Sequence, residues 1–335
     1  GANTYMDDRI RKMLADEICV VEIIDDAELG LYAKVFYQEQ ETRFFVNDYN
    51  ELSGVIKELS CDDIVINELV SFEKVKEAQE FALRLKDTFH AKLTMLCHDF
   101  YAVCPSIYLI NDQGKHCFKP NDMECERCYR SNSNKMNSEF DSIDRWRQIW
   151  SAFLEKCDEV ITFSENTKQY YQQYYPSLKY KVVPHKVDYI RPVERYEKTN
   201  GMLTIGVIGN LMPSKGAEIV YGMADLIEKE GMNARIVVIG PDLDGNKRQN
   251  ILVHGRYKRE DLPDLMKKYQ VDVVFIASIW PETFSYTTEE AIKMGMKVAA
   301  FNLGAPAERL KNYDKGIIIE EMTPEAALKK IVDNV

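Results

Sequence analysis

VDVVFIASIW (271–280), PETFSYTTEE (281–290) and AIKMGMKVAAF (291–301) are the consecutive segments that decide the fold of this chain. An apolar run rich in Val and Ile stops at Pro281, and a helix-like segment follows it. That segment ends at Gly295, after which a second apolar run begins. Strand, loop, helix and strand in this order form half of a parallel α/β unit.

Two acidic residues, Glu282 and Glu290, fall at the predicted helix entrance and inside the predicted helix. If 283–290 is mostly helical, their separation is roughly 12 Å at about 1.5 Å per residue. A nucleoside diphosphate lying across a helix N-terminus has about that length, and the backbone N–H groups there attract phosphate. On spacing alone, a solvated charged face is still the better explanation, because a carboxylate at a helix entrance also complements the helix dipole.

Outward from this stretch, the whole of 202–335 alternates between strand patterns and helix patterns. The predicted strands are 202–210, 234–240, 250–257, 271–280, 297–301 and 316–321, and the predicted helices include 217–231 and 259–269. Regular alternation of this kind predicts an α/β fold with a parallel, doubly wound sheet.

The N-terminal half shows the same alternation less regularly. Short strands are predicted at 18–24, 33–39 and 42–48, the last two as a hairpin, and further strands at 63–70, 92–100, 159–164 and 179–185. Helices are predicted at 49–59, 72–88, 143–156 and 166–174. The polar stretch 112–142 has little periodicity and predicts an irregular insertion, while 191–201 carries Pro and Gly and is the best linker candidate.

Composition narrows the class of protein. The 335 residues are 45% hydrophobic and 29% charged, as in a soluble globular protein of two domains. A net charge of −11 argues against a nucleic-acid binder, so nucleic acid is not an expected partner. No apolar run approaches a transmembrane span or a signal-peptide core, and eight Cys in a chain this long predict reduced thiols and a cytoplasmic setting.

A second candidate site is the strand-to-helix turn GVIGNLMPSKG (206–216). Its glycines, Gly209 among them, allow close backbone approach, and Lys215 supplies a positive charge for a diphosphate. Both this loop and the one at 281 follow strands of the same predicted sheet, and ligands bind at the carboxyl ends of strands in open α/β folds.

His98 is a third candidate, in Cys97-His98-Asp99 at the end of the 92–100 strand. A neutral imidazole there can hydrogen-bond a sugar hydroxyl or a leaving oxygen. A structural histidine with satisfied hydrogen bonds at a strand end is an equally good explanation.

Four cysteines form a fourth candidate within a Cys-containing insertion at 104–140. A CxxC pair with two nearby thiols could be organised by one tetrahedral Zn²⁺ in a structural role, and packed free thiols are the alternative. These residues are Cys104, Cys117, Cys125 and Cys128.

The run P-E-T-F-S-Y-T-T-E-E-A-I-K-M-G (281–295) resembles the signature of family-four retaining glycosyltransferases of the GT-B fold. The resemblance implies that Glu282 approaches the donor sugar and Glu290 binds the nucleoside ribose. It implies that Lys215 and the amides of Thr283, Phe284 and Ser285 hold the diphosphate, and that catalysis needs no metal. The family often has Gly-Arg where this chain has Gly209-Asn210, so one of two usual phosphate cations is missing.

The resemblance extends to other parts of the chain. The pattern from His98 to Cys128 resembles relatives that act on bacterial surface polysaccharides, and His98 matches the position that faces the donor sugar. The start, GANTYMDDRIRKML, resembles the Gly-loop and first helix of such enzymes without the strand before them, which suggests a truncated chain. A tag remnant at Gly1 joined to an ordinary helix is the alternative.

Together these features predict two Rossmann-like domains facing across a cleft: 1–190, the linker 191–201 and 202–335. The implied reaction moves a sugar from a nucleotide-diphosphate donor, with retention, to a glycan or lipid-linked acceptor. The expected partners are thus the nucleotide-sugar donor and this acceptor, and the expected location is the cytoplasm, with peripheral association at the inner face of the membrane. The alternatives are a non-catalytic nucleotide-sugar-binding module and a zinc-organised scaffold module. Sugar epimerases of the same fold are a lesser rival.

Overall fold

The structure is a computed structural model that describes residues 2–38, 40–118, 120–194, 196–199, 201–243, 245 and 247–335. Gly1, interpreted from the sequence either as part of a Gly-loop or as a tag remnant, lies outside the described residues. Contacts between Cα atoms divide the chain into two compact units. The first comprises residues up to 163 together with 168–183, and the second comprises 164–167 together with 184–335.

The first unit contains a small antiparallel sheet and a parallel sheet. The antiparallel sheet has the order β1 (Val20–Asp26), β2 (Gly30–Tyr37), β3 (Gln40–Phe45), so the predicted hairpin is present and gains a third strand. The parallel sheet has the order β4 (Asp63–Ile66), β5 (Lys92–Cys97), β6 (Glu159–Thr162), β7 (Tyr180–Val182). The helices up to this point in the chain are α1 (Ala2–Ala15), α2 (Tyr49–Ile56), α3 (Val75–Phe89), α4 (Asp122–Ser131), α5 (Ile143–Leu154) and α6 (Glu165–Tyr174).

Helix α4 corrects the prediction that 112–142 is irregular. Its N-terminus is closed by a capping box: Asn121 Oδ1 accepts from the Glu124 N–H at 2.9 Å, and Glu124 Oε2 accepts from the Asn121 N–H at 3.2 Å. These two bonds satisfy amides that the helix itself leaves unpaired. The signal was present in the sequence as Asn-x-x-Glu at 121–124, ahead of a segment with weak apolar periodicity.

The second unit is built on a parallel sheet with the order β10-β9-β8-β11-β12-β13. Its strands are β8 (Leu203–Ile208), β9 (Ala234–Ile239), β10 (Ile251–Val253), β11 (Val273–Ile276), β12 (Lys297–Phe301) and β13 (Gly316–Ile319). Its helices are α7 (Ala217–Lys229), α8 (Leu262–Tyr269), α9 (Tyr286–Lys293), α10 (Gly304–Leu310) and α11 (Pro324–Val332). The chain runs outward from β8 to β10 and then returns to β11 on the other side of β8, so the topological switch point lies between β8 and β11.

Apolar residues of this sheet point alternately into two cores, one on each face. Val273 and Phe275 belong to the core that α7 and α11 cover, whereas Val274 and Ile276 belong to the core that α8 and α9 cover. Burial on both faces is the reason why the sequence around β11 is a continuous apolar run rather than an alternating one.

Two features differ in extent from the sequence prediction. The strand predicted at 250–257 is only Ile251–Val253, and Gly255, just beyond its end, takes a positive φ of 85°. Val187 and Ile190 are buried in the core of the second unit, ahead of the segment predicted as a linker. No helix in the described part of the chain is long and apolar enough to cross a membrane.

Candidate functional site

The loops that follow β8 and β11 meet at the carboxyl edge of the second sheet. These strands are parallel neighbours, with Val273 opposite Ile205. A hydrogen bond from the Ile279 N–H to the Ser214 carbonyl oxygen, 3.2 Å long, joins the two loops directly. The two segments that the sequence singled out are therefore brought together at the switch point, where open α/β sheets bind their ligands.

Gly216 allows this close approach. It has a φ of +78°, and a Cβ atom added to it would lie 2.0 Å from the carbonyl oxygen of Ala277. A side chain at this position would combine an unfavourable backbone conformation with a backbone clash. The glycine lets the short 3₁₀ turn Pro213–Lys215 lie against the β11 loop, with Lys215 as its last residue.

Glu282 and Lys215 form an ion pair at this junction. Lys215 Nζ lies 2.8 Å from Glu282 Oε1, and the Ser278 hydroxyl donates a hydrogen bond to the same oxygen. The Glu282 side chain is 5% exposed and that of Lys215 is 38% exposed. Lys215 Nζ is also 5.4 Å from the centre of the Trp280 ring. The site thus contains a buried carboxylate with a cation that remains accessible to solvent.

The segment between Glu282 and the helix corrects one expectation. Helix α9 begins at Tyr286, so Glu282 precedes the helix and the estimate of roughly 12 Å, which assumed a helical 283–290, does not apply. The helix starts late because Ser285 is its N-cap: the Ser285 hydroxyl accepts from the Thr288 N–H at 3.4 Å and from the Thr288 hydroxyl at 2.8 Å. Thr283 and Phe284 form the loop that leads into this cap.

Glu290 lies inside α9 and is 1% exposed. The Tyr189 hydroxyl donates a hydrogen bond to Glu290 Oε1, and Arg259 Nε is 3.6 Å from the same oxygen. Burial raises the pKa of Glu290, while the Tyr189 hydrogen bond and the Arg259 charge act in the opposite direction. Sequence reasoning missed Tyr189 and Arg259, because no local motif marks residues that reach Glu290 from other elements.

His185 packs beside the same helix. Its ring stacks on Phe284 with 4.4 Å between ring centres, and Nδ1 lies 2.6 Å from the Tyr286 hydroxyl. Burial lowers the pKa of His185 to about 3, so its imidazole is neutral at physiological pH. One face of the half-buried Phe284 ring is therefore covered by the histidine.

The turn after β8 reaches the first turn of α9. Gly209 has a φ of +102°, and a Cβ atom added to it would lie 3.7 Å from the Thr287 side chain. A Cβ atom on Gly240 would lie 2.0 Å from the Gly209 carbonyl oxygen, so the loops after β8 and β9 are also tightly packed. Asn210, which follows, is exposed.

The region that contains this site also matches a known protein family. Residues 193–333 match the family model of glycosyl transferases group 1. The matched residues all lie in the second unit and include Lys215, Glu282 and Glu290.

A curated relative matches part of the chain. Over 125 residues, 36% of this chain, it is 26% identical to a GDP-mannose-dependent alpha-mannosyltransferase of Mycobacterium tuberculosis (strain CDC 1551 / Oshkosh). The matched segment spans 31% of the length of that protein.

Solved structures of glycosyltransferases share the fold over most of the chain. HepE of Anabaena, solved with UDP-glucose, superposes with a TM-score of 0.55 at 14% identity, covering 85% of this chain and 71% of HepE. TarM superposes with a TM-score of 0.59 at 14% identity, covering 93% of this chain and 56% of TarM. At this level of identity the similarity is one of fold, and it confirms the predicted α/β architecture of the GT-B class.

His98 lies in the first unit, outside the residues that match the family model. It follows β5, and its ring stacks on Phe163 at 4.4 Å between ring centres while Tyr5 approaches its edge at 5.1 Å. Loss of hydration raises the pKa of the neighbouring Asp99 to about 7. The role of His98 towards a donor sugar stays a prediction.

The four cysteines predicted as a zinc site do not form one in this structure. Among the residues described, no three His, Cys, Asp or Glu side chains are grouped closely enough to hold a metal ion. Cys125 Sγ instead accepts from Arg147 Nη2 at 3.2 Å, and Cys128 Sγ accepts from Asn132 Nδ2 at 3.6 Å. Burial raises the pKa of Cys104 to about 12, which keeps it a neutral thiol. As placed, these residues do not fit a tetrahedral zinc site.

Proposed function

We propose that this chain is a retaining glycosyltransferase that moves a sugar from a nucleoside diphosphate donor to a glycan or lipid-linked acceptor in surface-polysaccharide biosynthesis. The observation that carries the proposal is the Lys215–Glu282 ion pair at the switch point of the second sheet. Glu290 lies on the helix that follows the same loop. The match of 193–333 to glycosyl transferases group 1 supports it independently.

Lys215 has the properties required to bind the diphosphate. The chain carries a net charge of −11, so an anionic donor needs local positive potential. The ammonium group is the cation of this junction, and it is more than one-third exposed although its partner carboxylate is buried. As the bond to the sugar breaks, negative charge grows on the leaving diphosphate, and a fixed cation stabilises that charge more than it stabilises the ground state.

Glu282 would hold the donor sugar, as the family resemblance implies. Ser278 and Lys215 both contact Oε1, which fixes the orientation of the carboxylate before any sugar binds. The amides of Thr283, Phe284 and Ser285 lead into the N-terminus of α9, where backbone N–H groups favour an anion. The resemblance implies catalysis without a metal ion, because these groups supply the positive potential.

The relatives give two candidate nucleotides for the donor. The Mycobacterium tuberculosis relative is described as GDP-mannose-dependent, and HepE was solved with UDP-glucose. We propose a GDP-sugar or a UDP-sugar as the donor, and a cytoplasmic enzyme that works on its acceptor at the inner face of the membrane. Within this proposal, His98 would contact the donor sugar or its leaving oxygen.

One observation favours a second candidate, a module that binds a nucleotide sugar without transferring it. Asn210 stands where the family often has Arg, so the turn after β8 carries Lys215 without the second usual cation. Turnover of a donor by the purified chain, lost on substitution of Glu282, would exclude this candidate.

A thermal-shift panel with UDP, GDP, dTDP and ADP, followed by calorimetric titration of any nucleotide that stabilises the protein, tests the proposal. We expect one or two of these nucleotides to raise Tm, because a ligand that binds only the folded state stabilises it. If none of the four raises Tm, the proposed function is wrong.

A further inference from the structure

Arg259 and Tyr189 form a connected pair that reaches Glu290. Arg259 opens the short 3₁₀ turn before α8, and its guanidinium lies 4.8 Å from the centre of the Tyr286 ring and 5.5 Å from that of Tyr189. Arg259 Nη1 donates to the Tyr189 hydroxyl at 3.2 Å, and this hydroxyl in turn donates to Glu290 Oε1. The three side chains therefore form a chain of hydrogen bonds that ends on a buried carboxylate.

Arg259 and Tyr189 act on Glu290 in different ways, because they lie at different distances from its carboxylate. Arg259 Nε is 3.6 Å from Glu290 Oε1, which is beyond hydrogen-bonding distance, so the arginine acts on the carboxylate through its charge. Tyr189 makes the direct hydrogen bond and fixes one carboxylate oxygen. Stacking between two rings limits the freedom of the guanidinium, whose side chain is 32% exposed.

The surroundings of Glu290 make its ionisation sensitive to these partners. Burial raises the pKa of Glu290, and the Tyr189 hydrogen bond and the Arg259 charge oppose this effect. Tyr257 faces the same carboxylate, and its own pKa is raised by burial and by the Glu290 charge. The next acid on the helix, Glu289, is paired with Arg309 at 3.1 Å and does not share these partners.

We propose that Arg259, through its charge and its hydrogen bond to Tyr189, is a positioning residue that holds Glu290 as an oriented carboxylate for the vicinal hydroxyls of the donor ribose. The inference rests on the proposed function and assigns residues that its motif does not contain. An ionised carboxylate accepts hydrogen bonds from hydroxyl groups, whereas a protonated one loses part of that capacity. With Oε1 fixed by Tyr189, the plane of the carboxylate is set before the nucleotide arrives.

The test measures Kd by calorimetry from pH 6 to pH 8.5, with UDP or GDP, whichever the wild type binds, for the wild type and for Arg259→Met. Methionine keeps much of the apolar stem and removes the charge. We expect the ratio of the variant Kd to the wild-type Kd to be roughly threefold or more larger at pH 6 than at pH 8.5, because loss of the Arg259 charge raises the pKa of Glu290 and a protonated carboxyl accepts fewer hydrogen bonds. Using the ratio cancels the titration of the nucleotide itself.

A second readout replaces the nucleotide by its 2′-deoxy analogue. The wild type should lose affinity for the analogue, and Tyr189→Phe should lose less, because the carboxylate that reads the hydroxyl is no longer held. Arg256→Met, a change at an exposed arginine nearby, is the matched control and should resemble the wild type. Arg259→Lys should recover part of the affinity at pH 6, which separates loss of charge from loss of folding.

The outcomes distinguish the inference from the proposed function. A wild type that binds none of the nucleotides would overturn both. A wild type that binds, together with an unchanged pH profile in Arg259→Met and an unchanged preference for ribose over 2′-deoxyribose in Tyr189→Phe, would overturn this inference alone.

Discussion

At the residue scale, the two buried acids of the candidate site differ in what surrounds their charge. Glu282 has a lysine ammonium at 2.8 Å and a serine hydroxyl on the same oxygen. Glu290 has a tyrosine hydroxyl in contact and an arginine only at 3.6 Å. The first is a close ion pair and the second is a carboxylate whose ionisation depends on a longer-range charge, which suits them to different parts of one ligand.

Lys215→Met should weaken nucleotide binding roughly tenfold to a hundredfold, because hydrogen bonds to charged groups contribute about 1.5–3 kcal/mol. It should also lower Tm, since Glu282 would be left as a buried charge without its cation. The double variant Lys215→Met/Glu282→Gln should recover much of the Tm and none of the affinity. Lys229→Met, at an exposed lysine on the helix that follows, is the control. Calorimetry that gives equal Kd values for Lys215→Met and the control would contradict the assignment.

Asp99 gives a prediction for stability against pH. Loss of hydration raises its pKa to about 7 from an ordinary value of 3.8, although the Tyr101 N–H donates to Oδ1 at 2.7 Å. Between these two values the unfolded chain has released the proton and the folded chain has kept it, so stability falls as pH rises through this window. Above about pH 7 the full cost of a poorly hydrated carboxylate is present.

Asp99→Asn removes that ionisation and keeps the oxygen that accepts from Tyr101. Its Tm relative to the wild type should therefore rise from pH 5 to pH 8 and should change little below pH 4. Asp62→Asn, at an exposed acid in the same unit, should show no such trend. An Asp99→Asn variant whose Tm difference from the wild type is the same at pH 5 and pH 8 would show that this carboxyl titrates normally.

Residues of the candidate site differ in how far the sequence could identify them. The sequence marks Glu282, Glu290 and Lys215 as candidates because they follow strands of one predicted sheet, and the family resemblance gives them their proposed roles. Tyr189 and Arg259 were not found, because they come from segments far apart in the chain and meet Glu290 only in the folded sheet. Hydrogen-bonded partners from distant segments leave no periodic signal in a single sequence.

At the element scale, Gly216 allows the loop after β8 to lie close against the loop after β11. Gly216→Ala should cost about 1–2 kcal/mol for the left-handed backbone and about 1–3 kcal/mol more for overlap with Ala277. Gly231→Ala is the matched control, because Gly231 also has a positive φ, of 62°, and nothing lies within 4 Å of the added Cβ. It should show the backbone cost alone.

Denaturant unfolding of the two variants measures this difference. The larger loss should belong to Gly216→Ala, and it should be accompanied by weaker nucleotide binding, because Lys215 immediately precedes the glycine. Equal losses in the two variants, with wild-type affinity in both, would mean that the close approach to Ala277 does not shape the site.

Helix boundaries show where sequence reasoning was limited. The existence of α9 was clear from its periodicity, and its start was placed too early because Pro281 and Glu282 resemble a helix entrance. The Ser285 hydroxyl decides the start, since it accepts from the N–H three residues later. For α4 the start was marked in the sequence by the capping box, but the helix was not predicted because its apolar periodicity is weak.

At the scale of the whole molecule, the two units differ in how completely the sequence determined them. The second unit was predictable because its strands are buried on both faces, so each appears as an uninterrupted apolar run between helices. The strand order, with β8 beside β11, was not predictable, because pairing between strands depends on packing of helices distant in sequence. In the first unit, a separate three-stranded antiparallel sheet interrupts the alternation. Each of its strands has an apolar signal in the sequence, but only the pairing of the last two, as a hairpin, could be predicted.

The central claim is that this chain uses a nucleoside diphosphate sugar as a donor through Glu282. The most direct measurement is the release of UDP or GDP from the corresponding sugar nucleotides by the purified wild type and by Glu282→Gln, with Glu325→Gln, an exposed acid in the same unit, as the control. We expect the wild type and the control to release the nucleotide. For Glu282→Gln we expect a rate at least roughly a hundredfold lower at an unchanged Tm, since loss of one well-placed electrostatic group costs about 2.7–4 kcal/mol. Release by Glu282→Gln at the wild-type rate, or no release by the wild type from any donor that its nucleotide panel selects, would contradict it.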